Sequence, residues 1–153
     1  MLSAHYRSPL NFSDDLMESA AKSLERICTA VFNLTHLASA AKDRDYDDGE
    51  KEYMEKIGAL KDKFEAAMED DFNTADAIAA IFEIVKLANS ELSAESARHA
   101  VEETRILIIE LCGILGIICE KGDEMPDEDI IKLIEERTNA KKERNFARAD
   151  EIR

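Results

Sequence analysis

Glycine and proline are scarce in this chain, five and two among 153 residues. With so few breakers and no strongly alternating segment, a strand-rich or loop-rich domain is excluded and long helices are expected. Apolar runs are short as well. None reaches the ~18 residues of a membrane span, and no signal-peptide pattern opens the sequence. Three cysteines, Cys28, Cys112 and Cys119, lack Cys-x-x-Cys spacing and lie on or beside apolar stretches. They predict buried thiols in a reducing cytoplasm. His5, His36 and His99 are scattered, and no two have the spacing of a helical metal pair. A Gly-rich phosphate loop and a nucleophile motif are missing too. These absences leave no catalytic, cofactor-binding or metal-binding constellation to name.

What is present is enough apolar material for one ordinary domain. Hydrophobic residues make up 45% of the chain, so it folds despite 35% charged residues. Ser13 is a good N-cap, with Asp14 and Asp15 in the first turn where the helix dipole favours them. Met17, Ala20, Leu24, Ile27, Val31, Leu34 and Ala38 then recur at spacings of three and four. That seam predicts a helix of roughly 28 residues, about 42 Å long. Residues 42–52 are rich in Asp and Glu and read as a solvated loop. A second helix carries Tyr53, Ile57, Leu60, Phe64 and Met68 on one face, and residues 70–74 interrupt the pattern. Asn73 or Thr74 can cap a third helix that buries Ile78, Ile81, Phe82, Val85 and Leu92. Ser93 can cap a fourth. Its second half, residues 106–118, is apolar on almost every side and reads as the central element of the bundle. Gly113 and Gly116 predict either a close helix contact or an early helix end. Four to five such helices with short links make an all-α antiparallel bundle, here assigned to residues 13–126.

Residues 127–153 differ in character. Asp127 can cap a fifth helix whose apolar face, Ile130, Leu133 and Ile134, continues in line into Arg137, Lys141 and Arg144. Two readings stay open. The long stems can cover the end of a core while their charges reach water, or the stripe can meet a polyanion. Charge is split accordingly. Residues 1–131 hold 13 Lys and Arg against 29 Asp and Glu, whereas residues 132–153 hold 7 against 5, within a total of −14. An acidic body with one basic end can repel unproductive contacts and still touch phosphate locally. After Asn145, Phe146 and Ile152 are too few apolar anchors for a stable helix, so fraying is expected there.

Three strings are more particular than the helices require. They are His-Tyr-Arg-Ser-Pro-Leu-Asn-Phe-Ser at 5–13, Asp-Asp-Phe-Asn-Thr at 70–74, and Leu-Ile-Glu-Glu-Arg at 133–137 running on to Asn-Phe-Ala-Arg-Ala-Asp-Glu-Ile-Arg at 145–153. In content, order and separation they resemble the post-catalytic region of cysteinyl-tRNA synthetases. One departure is Ala75, where that family usually has Pro, a mild change at a first helical turn.

The resemblance implies a helical bundle of the anticodon-stem-binding, DALR-like type found in class I aminoacyl-tRNA synthetases. Residues 1–12 would be the exit from a stem-contact segment, and 127–153 a basic extension leading to an anticodon-reading domain. In the whole enzyme a Rossmann-type catalytic domain precedes the bundle and ligates cysteine to tRNA with ATP. The family's His-Ile-Gly-His and Lys-Met-Ser-Lys-Ser type signatures and its zinc-binding cysteines do not occur in this sequence. ATP and zinc would therefore belong to the parent enzyme, and the chain by itself is expected to be inactive, monomeric, cytoplasmic and free of membrane. The implied partners are tRNA and the parent's catalytic domain. Candidate tRNA contacts are Arg7, Arg137, Lys141, Lys142, Arg144 and Arg148. The rival reading is a stand-alone acidic adapter that takes a partner helix in a groove.

Overall fold

The computed structural model describes residues 2–9 and 11–119. Within them the chain forms four helices: α1 (Asp14–Ala40), α2 (Asp48–Glu69), α3 (Thr74–Glu91) and α4 (Arg98–Ile114). Among the described residues there is no strand, only an isolated parallel bridge between Lys42 and Ala97. The expected fifth helix, with its cap Asp127 and its frayed end, lies outside the described residues.

The helix starts follow local chemistry. Ser13 Oγ accepts from the Leu16 amide, and Asp14 and Asp15 occupy the first turn of α1. Of the two candidate caps for α3, Asn73 serves, its side chain accepting from the Asp76 amide. Elsewhere the expectations need correction. Residues 42–52 are not simply a loop, because α2 begins at Asp48 behind a capping box. Asp47 Oδ1 accepts from the Glu50 amide at 2.8 Å, and Glu50 Oε2 accepts from the Asp47 amide at 3.0 Å. Ser93 caps no helix. It turns against Ser96, and α4 starts only at Arg98 without any side-chain cap.

Packing explains which apolar faces are buried. Ion pairs Lys63–Glu83 and Lys56–Glu91 set α2 antiparallel to α3. Lys42 beside Ala97 at one end, and Cys28 beside Cys112 and Cys119 toward the other, set α4 antiparallel to α1. The helices therefore run up, down, up, down, with 5–13, 70–74 and 115–119 at one end and 41–47 and 92–97 at the other. The seam of α1 splits in two: Ile27, Val31, Leu34 and Ala38 are buried, with Ala30 beside them, whereas Met17, Ala20 and Leu24 are exposed. At 27 residues α1 is about 40 Å long, against about 26 Å for the 17 residues of α4. Its first turns outrun their partner.

The central element is α3 rather than α4. Ala77, Ala80, Ile81, Ile84, Val85 and Ala88 are all buried, while Ile106, Ile109 and Ile114 on α4 face outward. The two glycines near the end of α4 settle as a stop. A side chain at Gly113 would meet open space, so no close helix contact requires it. Gly116 has φ +70°, and the amides of Gly116 and Ile117 donate back to the carbonyls of Gly113 and Cys112.

One buried polar pair lies between α2 and α4. Thr104 Oγ1 donates to the Ala100 carbonyl at 2.8 Å, so the Tyr53 hydroxyl, 3.0 Å away, is the donor to Thr104. Burial pushes the Tyr53 hydroxyl up to about 12. The thiols meet the expectation in part, Cys112 being buried and Cys28 and Cys119 half-buried.

Candidate functional site

The segment at 5–9 and the turn at 70–74 are remote in sequence and adjacent in space. After α2 ends, Asp71 (φ 56°) and Phe72 (φ 54°) both take the left-handed conformation. The turn is tied by its amides: Phe72 donates to the Met68 carbonyl at 3.1 Å and Asn73 to Ala67 at 3.0 Å. Asp tolerates positive φ better than most residues, but an aromatic residue there is strained by roughly 1–2 kcal/mol. Phe72 is also 65% exposed, so its ring returns no core packing for that strain. The conformation is held by the backbone hydrogen bonds of the turn rather than by packing of the ring.

Residues 5–7 dock on this turn. The Tyr6 hydroxyl donates to Asp71 Oδ1 at 2.9 Å and accepts from Arg7 Nε at 3.0 Å. Arg7 also reaches Asp71 Oδ2 at 2.7 Å, while its guanidinium carbon lies 5.4 Å from the centre of the Tyr6 ring. The carboxylate of Asp71, as hydrogen-bond acceptor, raises the Tyr6 hydroxyl from its ordinary value. His5 stacks on Tyr6 with ring centres 4.8 Å apart. Thr74, the first residue of α3, closes the clasp by donating its hydroxyl to the Leu2 carbonyl at 3.0 Å. With 68% of its side chain exposed, Arg7 still presents guanidinium N–H groups to solvent.

Around the clasp, Tyr6, Phe12, Leu16, Met17, Phe72, Ile114 and Ile118 are all exposed at the same end of the bundle. Among the described residues, the opposite end carries none of the exposed large apolar side chains. Exposed apolar side chains are thus concentrated around the clasp among the described residues. Chemically the clasp can hydrogen-bond, stack and pair with an anion. It holds no activated nucleophile, and among the described residues no group of three or more His, Cys, Asp or Glu side chains could hold a metal ion. Nor is any described helix long and apolar enough to cross a membrane.

Of the sequence-predicted tRNA contacts, Arg7 is in the clasp. Arg137, Lys141, Lys142, Arg144 and Arg148 lie outside the described residues. Sequence reading missed Asp71 as the partner of Tyr6 and Arg7, since nothing local links positions 65 residues apart. The identity of the two strings was the available signal.

Residues 63–119 match the DALR domain family. An antiparallel, all-helical bundle with that match is a helical domain of the DALR type. Over its whole length the chain is also 55% identical to the cysteine–tRNA ligase of Lachnospira eligens, and 46% identical to those of Brevibacillus brevis and Halalkalibacterium halodurans. It covers 32%, 33% and 32% of those proteins, so it spans about a third of the length of the curated relatives it matches. Over its full length the chain is thus similar to a stretch of each of these cysteine–tRNA ligases, and within it residues 63–119 are similar to the DALR domain.

Proposed function

We propose that this chain is the tRNA-contacting helical part of a cysteine–tRNA ligase, an enzyme that joins cysteine to its tRNA with ATP in the cytoplasm. The observation that carries this reading is the clasp. The two strings most particular to the family, 5–13 and 70–74, meet through Tyr6, Arg7 and Asp71, a contact that the helix caps Ser13 and Asn73 do not require. In the whole ligase a catalytic domain would precede residues 1–12 and would supply the sites for ATP and zinc. In this reading residues 13–126 belong to the bundle, and 127–153 would be a basic extension toward an anticodon-reading domain. The exposed rings and side chains of Phe12, Leu16, Met17 and Phe72 give the rest of that ligase a surface to pack on.

Arg7, Arg137, Lys141, Lys142, Arg144 and Arg148 contact tRNA phosphates in this reading. Phosphate contacts position the RNA without reading bases. The test is aminoacylation by the complete ligase with R137Q and K141Q together. The Michaelis constant for tRNA rises and the salt dependence of tRNA binding flattens, while cysteine-dependent ATP–pyrophosphate exchange is unchanged. Unaltered tRNA affinity and salt slope would reduce the basic stripe to a cover for the core and the bundle to a spacer.

A further inference from the structure

Cations in this acidic protein are mostly neutralised in place. Of twelve Lys and Arg side chains among the described residues, eight sit in ion pairs: Arg7, Lys22, Lys42, Arg44, Lys51, Lys56, Lys61 and Lys63. Arg26, Lys86, Arg98 and Arg105 have no carboxylate within ion-pair distance among the described residues. Arg98 is directed at the carbonyl of Ala41. Arg26 and Lys86, on different helices, line one and the same groove.

That groove, about 510 Å³, runs between the parallel helices α1 and α3. Its floor is apolar and firm, formed by Ala30 and Val85, both buried. One wall is Arg26, Thr29 and Asn33, spaced three and four apart on α1; the other is Lys86, Asn89 and Ser90 on α3. The α1 trio lines up over about 10 Å, and on α3 Lys86 with Asn89 and Ser90 spans about 6 Å facing it. Arg26 is held in place by lying over the Phe82 ring, 5.3 Å from its centre, so its fork is pre-oriented rather than free. Glu25 is the one carboxylate in the lining. The amides of Asn33 and Asn89 make no hydrogen bond to other described residues, and each brings two N–H donors.

A second groove at the far end shows how unusual this is. Its walls hold Asp47, Glu50, Glu91 and Glu95 against the single cation Arg44, which is already spent on Glu50 and Asp47. Two unspent cations with amide donors between them fit an extended anion whose charges repeat along a line, which is the form of a nucleic-acid backbone. We propose that the α1–α3 groove, through Arg26, Lys86, Asn33 and Asn89, holds sugar–phosphate backbone of the tRNA. This rests on the reading of the chain as a tRNA-contacting domain and adds a contact surface that shares no residue with the clasp.

The test uses the complete ligase and a cysteine tRNA transcript. R26Q with K86Q raises Kd about tenfold, and the slope of log affinity against log salt becomes shallower by about one to two. K86Q alone, which leaves the Arg26–Phe82 contact in place, makes it shallower by about one. K61Q with K63Q, removing cations that are paired on α2, changes neither quantity. Wild-type binding with an unaltered Kd and slope in R26Q/K86Q overturns the groove and leaves the tRNA-contacting reading standing. A wild-type ligase that binds no tRNA overturns that reading and the groove with it. Poly-glutamate bound as tightly as RNA of equal charge, and lost in the double variant, overturns RNA in favour of an acidic protein partner.

Discussion

Arg7 and Arg44 each clamp a carboxylate across a helix connection, one at each end of the bundle, and the two clamps differ in almost everything else. Arg44 grips Glu50 with two nitrogens, each 2.9 Å from a carboxylate oxygen, and also donates to the Glu95 carbonyl. Glu50, with 11% of its side chain exposed, accepts in addition from the amides of Asp47 and Ala97. Lys42 pairs with Glu95 beside it, and the Lys42–Ala97 bridge ties the two loops by backbone. Both terminal nitrogens of Arg44 are thus used internally. The Arg7–Asp71 clamp is exposed, sits on a strained turn and leaves donors and rings facing outward. A closed network of this kind fixes the fold, whereas an open one is available to a partner.

Removing the closed clamp has the largest consequence. E50A leaves the Arg44 guanidinium and two amides without their acceptor, which costs about 2–4 kcal/mol in urea unfolding. D71A, on the exposed clamp, costs less than about 1 kcal/mol. Equal losses at the two sites would erase the distinction. The same contrast appears with pH. Burial raises the Glu50 carboxyl, but hydrogen bonds from the Ala97 and Asp47 amides and from Arg44 outweigh it and hold it below its ordinary value. The folded state thus binds this proton less readily than the unfolded chain. Its stabilisation is present above the ordinary glutamate value near 4.5 and is lost as pH falls through the lower folded value. A stability profile across that acid range shows the step in the wild type and not in E50Q.

Smaller effects sharpen the picture. Y53F removes the donor to Thr104 at the centre of the bundle and costs about 1 kcal/mol by thermal unfolding. F72G acts in the opposite direction. It relieves the left-handed strain without losing core packing and raises stability by up to about 1 kcal/mol. In the complete ligase the same change lowers aminoacylation efficiency, because the exposed ring is gone. A stabilised and fully active F72G would show that the turn serves neither end.

The parts of this arrangement that were legible in the sequence are those set by neighbours along the chain. Ser13, Asp14 and Asp15 start α1, Asn73 caps α3, and Tyr53, Ile57 and Phe64 share the buried face of α2. Periodicity identifies a face but not how far its partner extends, so Met17 and Leu24 read like Ile27 and Leu34 although they stand in solvent. The run at 106–118 failed for the same reason, apolar residues being placed outward on α4. Glu50 looked like one more surface acid, because its burial depends on Arg44 and Ala97 arriving from elsewhere. In the clasp the two family strings were visible and their contact was not. Arg26 and Lys86 gave no sign of being neighbours, since only the parallel packing of α1 and α3 brings them to one groove.

The thiols at the junction of α1 and the end of α4 have a chemical consequence. Burial, and then the neighbouring Cys28, push Cys112 up to about 11 and Cys119 up to about 12. At neutral pH the thiolate fraction of Cys112 is then on the order of 10⁻⁴, and thiol–disulfide exchange runs through the thiolate. Slow alkylation and slow exchange with small thiols and disulfides are the expected behaviour of these two sulfurs. The bundle keeps them as apolar filling, inert toward the sulfur chemistry of its surroundings.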